Sequence, residues 1–244
     1  MHGPDVPRPN SELMAVLHRA SSASITTILR RKGITKVWMP LKPLVPGMKT
    51  VGPAVTVRSV PGREDIAPLA YQPNTLFPGH PDDAIEAVQP GDVLVHDGLG
   101  FTHEGLFGDL LTLRLKSRGA AGLVTDMAIR DATHQPEREL PIFCRGTASP
   151  GGTVYNVDYN VPIGCGNTLV CPGDIVVGDD DGVAVIPQAL VEEVVEAVIE
   201  HEELEVYLRQ RLAEGAELKG IYPPSPETVN LFKEWRERQR RSER

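Results

Sequence analysis

The sequence predicts a mixed α/β fold, and three observations carry that expectation. Segments with helical apolar spacing alternate with short β-branched runs. One strand–loop–helix–strand unit is legible between residues 92 and 125. The 23 Gly and 22 Pro are scattered without period, which marks frequent chain reversals and not a collagen-like or linker segment. With 244 residues, 41% of them hydrophobic and 24% charged, the chain is long enough for a full core in one domain.

Residues 1–10 carry Pro4, Pro7 and Pro9 and are expected to form an arm that is ordered only where a neighbour holds it. Leu13, Val16, Leu17 and Ala20 then fall at helical spacing, and a second helix is expected over 24–32, stopped by Gly33. VGPAVTV, residues 51–57, and DVLVH, residues 92–96, read as strands, with a short helix over 82–88 between them. From Gly108 to Lys116, Leu110, Leu111, Leu113 and Leu115 predict an apolar helix face, and Gly119 ends that helix before the run AGLVTD.

Further strands are expected over 141–145, 161–164, 175–177 and 183–186, with Asp179-Asp180-Asp181-Gly182 as a hairpin turn. Val191, Val194, Val195, Val198 and Ile199, then Leu204, Leu208 and Leu212, mark a long amphipathic helix. The mixed-sign charges of residues 233–244 read as a solvated helix end.

Composition excludes several function classes. With 25 basic and 33 acidic residues the net charge is −8, so no general attraction for phosphate backbones exists and nucleic acid is not an expected partner. No run approaches a membrane span, and no basic-then-apolar leader opens the chain. Cys144, Cys165 and Cys171 lack metal-ligand spacing and read as reduced thiols, so a cytoplasmic protein is expected. Asp97-Gly98-Leu99-Gly100 begins like a dinucleotide or S-adenosylmethionine loop, but the third glycine is absent and position 103 is His. His103-Glu104 begins a zinc-protease pattern, but four residues on stands Phe107.

Two further sites are chemically informative: Gly108-Asp109-Leu110-Leu111, and Arg130-Asp131 after the next strand, with twenty residues between Asp109 and Arg130. Alone, an Arg-Asp dipeptide reads as a surface ion pair or a turn. If Asp109 opens a helix and Arg130-Asp131 follows the next strand, both loops can meet at one edge of the sheet. The first-turn N–H groups of Leu110 and Leu111 could then hold a carboxylate, and Arg130 could grip it bidentately. Asp131, with Asp109 acting through water, offers hard oxygen donors suited to Mg²⁺ or Mn²⁺.

The D-x20-R-D spacing lies among the blocks PGDVLVHDGLG, GAAGLVTDMAIRD, LPIFCRGTASP and NVPIGCGNTLVCPGDIVVGDDDGVAVIP. Together they resemble the RraA-like family, from Gly52 to Glu217, about two thirds of the chain. That family includes the class II 4-hydroxy-4-methyl-2-oxoglutarate / 4-carboxy-4-hydroxy-2-oxoadipate aldolases and the regulators of ribonuclease activity, and some members carry a demethylmenaquinone methyltransferase label. The resemblance implies a β/β/α sandwich of the swivelling phosphohistidine-domain type with N- and C-terminal helices. It also implies assembly as a homotrimer or a dimer of trimers with active sites between subunits. The expected organisation is an arm over 1–10, an aldolase-like domain over 11–217 and an extension over 218–244.

By the same resemblance, the residue matching Asp131 binds the metal, that matching Arg130 contacts the pyruvyl carboxylate, and that matching Asp109 orients water on the metal. The backbone at Gly108, Leu110 and Leu111 holds substrate. A glutamate from a neighbouring subunit's C-terminal helix completes the site, with Glu202 or Glu205 as its counterpart. The chain departs from the family in carrying Met127 where Gly is common, and in its segment over 67–83. The implied activity is metal-dependent retro-aldol cleavage of a small 2-keto acid to release pyruvate, with oxaloacetate decarboxylation as a side activity. The alternative is a non-catalytic regulator of ribonuclease activity acting by protein–protein binding.

Overall fold

Runs of β-branched residues broken by glycine and proline fold here into many short strands around one long one. The computed structural model describes residues 5–65, 82–134 and 139–242. In chain order the elements are α1 (Ser11–Leu17), α2 (Ser22–Arg31), β1 (Trp38–Met39), β2 (Lys42–Pro43), β3 (Thr50–Pro61), α3 (Asp83–Ala87), β4 (Val93–Asp97), α4 (Asp109–Ser117), β5 (Gly122–Thr125) and β6 (Ala128–Ile129). They continue with β7 (Ile142–Cys144), β8 (Gly146–Thr147), β9 (Val154–Tyr159), β10 (Ile163–Cys165), β11 (Thr168–Val170), β12 (Ile175–Asp179), β13 (Gly182–Ile186), α5 (Val191–Ala213) and α6 (Pro226–Ser242).

Nine strands form one sheet in the order β1-β13-β12-β3-β4-β5-β7-β2, with β9 also paired to β3. Strands β3, β4, β5 and β7 run parallel, and the other pairs in this sheet are antiparallel. The sheet folds over on itself, which the alternation of side chains shows. In β4, Val93 and Val95 point to an inner core with Ala54, Val124, Phe143, Val176, Val183 and Val185. The intervening Leu94 joins Val55, Val57, Leu123 and Ile142 in an outer core beneath α3 and α4. Ile175, Val177, Ala184 and Ile186 face the opposite way, against α1, α2 and α5. Two β layers thus enclose one core, with helices outside both, which is the β/β/α sandwich with terminal helices.

Several elements differ from expectation. Helix α2 begins at Ser22 and not at residue 24, because Ser21 is its N-cap: the Ser24 N–H donates to Ser21 Oγ at 3.0 Å. On α4 the buried residues are Thr112 and Leu115, while Leu110 and Leu113 are exposed. The helix rests on the sheet along the line of residues 111, 112 and 115, and Leu110 and Leu113 lie off it. On α5, Val191, Val194, Val195 and Val198 pack as expected, but Ile199 is exposed, and the distal half is buried through Tyr207 and Leu208 against Phe232 of α6. The arm needs no second chain over residues 5–10: Val6 is buried, and Arg8 donates to both oxygens of the fully buried Asp92 at 2.8 and 2.9 Å. The hairpin turn at 179–182 forms as predicted, with Asp179 opposite Gly182. Most of the segment over 67–83, and His80 within it, lie outside the described residues.

Candidate active site

The parallel strands β4 and β5 end at one edge of the sheet, and the loops that leave them build the site. After β5, Asp126 is buried and ties the loop after β4 to the β10–β11 turn, accepting from the Gly98 N–H at 2.7 Å and the Gly166 N–H at 3.0 Å. Met127 is fully buried, and a Cβ at Gly98 would lie 2.3 Å from its Cβ, so this chain pairs Met127 with a bare backbone at residue 98. The short strand β6 pairs in parallel with β8 and delivers Arg130 and Asp131 at its end.

Arg130 and Asp131 meet the start of α4 there. The Arg130 N–H donates to the Phe107 carbonyl at 2.9 Å. Gly108 is the N-cap of α4, and a Cβ on it would sit 2.5 Å from Asp131 Oδ2. The Asp131 carboxylate therefore lies directly over the Gly108 backbone, at the positive end of a helix. Asp131 itself adopts φ +53°, a left-handed conformation that Asp tolerates better than most residues and that aims its side chain at this point.

Asp109, the first residue of α4, accepts the Leu110 N–H through Oδ1 at 2.8 Å. One of the two amides expected to hold substrate is thus already engaged from within the chain, and Leu111 N–H lies in the same first turn. The structure brings together Gly108, Asp109, Leu110, Leu111, Arg130 and Asp131. It does not bring Glu202 and Glu205 to them within one chain: Glu202 Oε1 accepts from Ser24 Oγ at 2.7 Å, and Glu205 pairs with Arg209 one turn later on α5 at 3.2 Å.

Beside this convergence lies a cavity of about 300 Å³ lined by Arg130, Leu111, Gly105, Gly151, Ile85, Val154 and Asn156, among others. Its roof, at 150–153, is clamped by the buried Glu104, which accepts the Thr153 N–H at 3.1 Å and the Thr153 Oγ1–H at 2.9 Å. Arg130 Nη1 reaches to 3.3 Å from where a Gly151 Cβ would stand. Beneath the cavity, His96 packs edge-on against Phe107 and bonds Thr125 and Ser59, and Ser59 bonds Asn156. Burial pushes His96 down to about 4, so its imidazole is neutral at pH 7. Asp97, half buried, is held above its ordinary value by desolvation.

Glu104 and Asn156 were not legible as site residues. Glu104 stands in what reads as a failed zinc motif, and Asn156 is one polar residue in a strand. His103 and His134 are exposed. Among the described residues no group of three or more His, Cys, Asp or Glu side chains could hold a metal, and no helix is long and apolar enough to cross a membrane.

Comparisons with known proteins bear on the family and the fold. The family model described as RraA-like, Aldolase/RraA, matches residues 22–185. A Halalkalibacterium halodurans protein named as a candidate 4-hydroxy-4-methyl-2-oxoglutarate aldolase is 38% identical over 165 residues, covering 67% of this chain and 72% of its own length. The crystal structure of Streptomyces coelicolor RraAS2, described as an unusual member of the RNase ES inhibitor RraA protein family, is 37% identical with a TM-score of 0.73, over 84% of this chain and 99% of that one. An uncharacterized protein from Pseudomonas syringae pv. tomato shares the fold at 24% identity and TM-score 0.77, over 90% of this chain and 97% of its own. A family match over two thirds of the sequence, with a relative and a solved structure above 35% identity, leads to one conclusion: this chain belongs to the RraA-like family.

Proposed function

We propose that the protein is a divalent-metal-dependent lyase that cleaves a small 2-keto acid by retro-aldol chemistry and releases pyruvate, with oxaloacetate decarboxylation as a second outcome of the same chemistry. The observation that carries this reading is the seating of the Asp131 carboxylate on the bare Gly108 backbone, beside Arg130 and the first turn of α4. The donor set fits Mg²⁺ or Mn²⁺: one exposed carboxylate, in a cradle that a Cβ at residue 108 would fill, suits a hard cation that keeps most of its shell as water. Asp131 would hold it. When bound, such a cation supplies Lewis acidity at the 2-keto oxygen, where negative charge develops as the C3–C4 bond breaks.

The chain's own residues supply the rest. Arg130 binds the pyruvyl carboxylate through its planar fork, aided by the Leu111 N–H in the first turn of α4. Asp109 accepts the Leu110 N–H of that turn and, in this reading, orients a water that takes the proton of the substrate's 4-hydroxyl. A glutamate of α5 in a second copy, Glu202 or Glu205, joins Asp109 at that water in a homotrimer or dimer of trimers. Residues 11–217 form the lyase unit, flanked by the arm and by a C-terminal extension from residue 218.

The test is pyruvate release from 4-hydroxy-4-methyl-2-oxoglutarate and from oxaloacetate, with Mg²⁺, with EDTA and in Asp131→Ala. We expect metal-dependent release that falls by roughly a hundredfold or more in the variant. Release unaffected by EDTA or by the substitution overturns the reading. The likeness to RraAS2 favours a second one, regulation of a ribonuclease by direct binding. Inhibition of RNA cleavage by RNase ES without any pyruvate release would establish it.

A further inference from the structure

The Arg130 side chain runs along two bare stretches of backbone. A Cβ at Gly105 would stand 3.0 Å from Arg130 Cγ, and one at Gly151 would stand 3.3 Å from Arg130 Nη1. The stem of the side chain therefore lies against the first glycine and its guanidinium against the second. Residues 104 and 105 join these two walls. The Gly105 N–H donates to the Pro150 carbonyl at 3.0 Å and the Gly152 N–H to the Gly105 carbonyl at 2.9 Å, while the other flank of Gly105 bridges Ala128 of β6. A Cβ at Gly152 would meet Leu106 Cα and Met127 Cε, both at 3.2 Å, so the buried tip of Met127 supports this backbone from below. One residue further on, Thr153 is tied by Glu104, whose side chain is buried and accepts the Thr153 N–H at 3.1 Å and the Thr153 Oγ1–H at 2.9 Å. A buried carboxylate is costly unless its oxygens are bonded, and among the described residues every hydrogen bond that Glu104 accepts with its side chain comes from Thr153.

We propose that Glu104 is a positioning residue of the lyase site: by clamping Thr153 it fixes the Gly151-Gly152 backbone against Arg130 and so sets the angle at which the guanidinium meets the substrate carboxylate. Glu104 acts through residue 151 and not on the ligand itself. A bidentate guanidinium–carboxylate pair is sensitive to that angle, because both N–H groups must point at oxygens at once. The assignment rests on the lyase reading for the ligand of Arg130, and it adds the buried group that aims this side chain.

Calorimetric titration with Mg²⁺ alone, and with pyruvate in the presence of Mg²⁺, tests it. We expect Glu104→Ala to weaken pyruvate about tenfold while changing the affinity for Mg²⁺, held by Asp131 over Gly108, less than about twofold. Glu104→Gln, whose amide still accepts the Thr153 N–H, brings pyruvate affinity back to within about threefold of wild type. Thr153→Val removes the hydroxyl donor from the exposed end of the clamp and gives a smaller selective loss, about threefold; it decides the matter if Glu104→Ala does not fold. Pyruvate affinity unchanged in these variants, equal weakening of pyruvate and Mg²⁺, or a Glu104→Gln protein as weak as Glu104→Ala overturns the proposal. Selective loss in a protein that releases no pyruvate from an aldol substrate refutes the lyase reading and leaves Glu104 as the residue that aims Arg130. A wild-type protein that does not bind pyruvate refutes both.

Discussion

Gly108→Ala isolates the geometry on which the proposed chemistry depends. The backbone at residue 108, φ −102° and ψ −169°, is open to any residue, so alanine introduces no backbone strain. Its methyl would stand 2.5 Å from Asp131 Oδ2, and ordinary contact begins near 3.4 Å, so the carboxylate must move by about 0.9 Å. Because the clashing atom is the free end of an exposed side chain, that movement is cheap for the fold. The loss of stability is that of a poorer N-cap, about 0.5–1 kcal/mol, or a Tm lower by roughly 1–4 °C in a chain of this size. A displacement of about 1 Å at a reacting centre can cost on the order of a hundredfold in rate. The expected result is a variant that melts almost normally and has lost roughly a hundredfold in Mg²⁺-dependent pyruvate release. Differential scanning fluorimetry and a coupled pyruvate assay on the same preparation would check it. Activity within about twofold of wild type would refute the seating of Asp131 at the α4 N-terminus as the basis of catalysis.

Two further outcomes concern stability. His96 has a folded pKa of about 4 against an unfolded value near 6.5, so between those limits the unfolded chain binds more protons. Its contribution is complete above pH 6.5 and is lost as pH falls toward 4, amounting to about 3 kcal/mol; urea unfolding from pH 7.5 to 4 should show this slope, and His96→Gln should remove that part of it. Arg8→Ala leaves the fully buried Asp92 carboxylate without its cation, which should cost about 2 kcal/mol and lower Tm by roughly 4–8 °C; an unchanged Tm would mean that the arm does not hold to the domain in solution.

The legible part of the site shares one local unit. Asp109, Arg130 and Asp131 lie on consecutive connections of a strand–helix–strand segment, where the parallel pairing of β4 with β5 forces both loops to the same edge. Glu202 and Glu205 fall on a helix whose register places them, within the chain, against Ser24 and Arg209. The leucines of α4 illustrate a different failure. Four apolar residues in nine allow more than one helix face, and the sheet selects the one through Leu115. Asn156 had no local signal at all, since its partner Ser59 is 97 residues away and is reached only through the pairing of β9 with β3.

By itself the sequence determined the alternation of helices and strands, the hairpin at 179–182 and the Asp109, Arg130 and Asp131 convergence, because each rests on periodicity, turn chemistry or spacing along a short stretch of chain, and it carried the family resemblance in blocks spread from Gly52 to Glu217. Tertiary structure alone decided which helix face is buried, how the arm is held, that Gly108 lies under a carboxylate, and that Asn156 meets Ser59. Those are set by contacts between segments far apart in sequence, where the energy of burying a polar group or closing a gap depends on neighbours that no local pattern names.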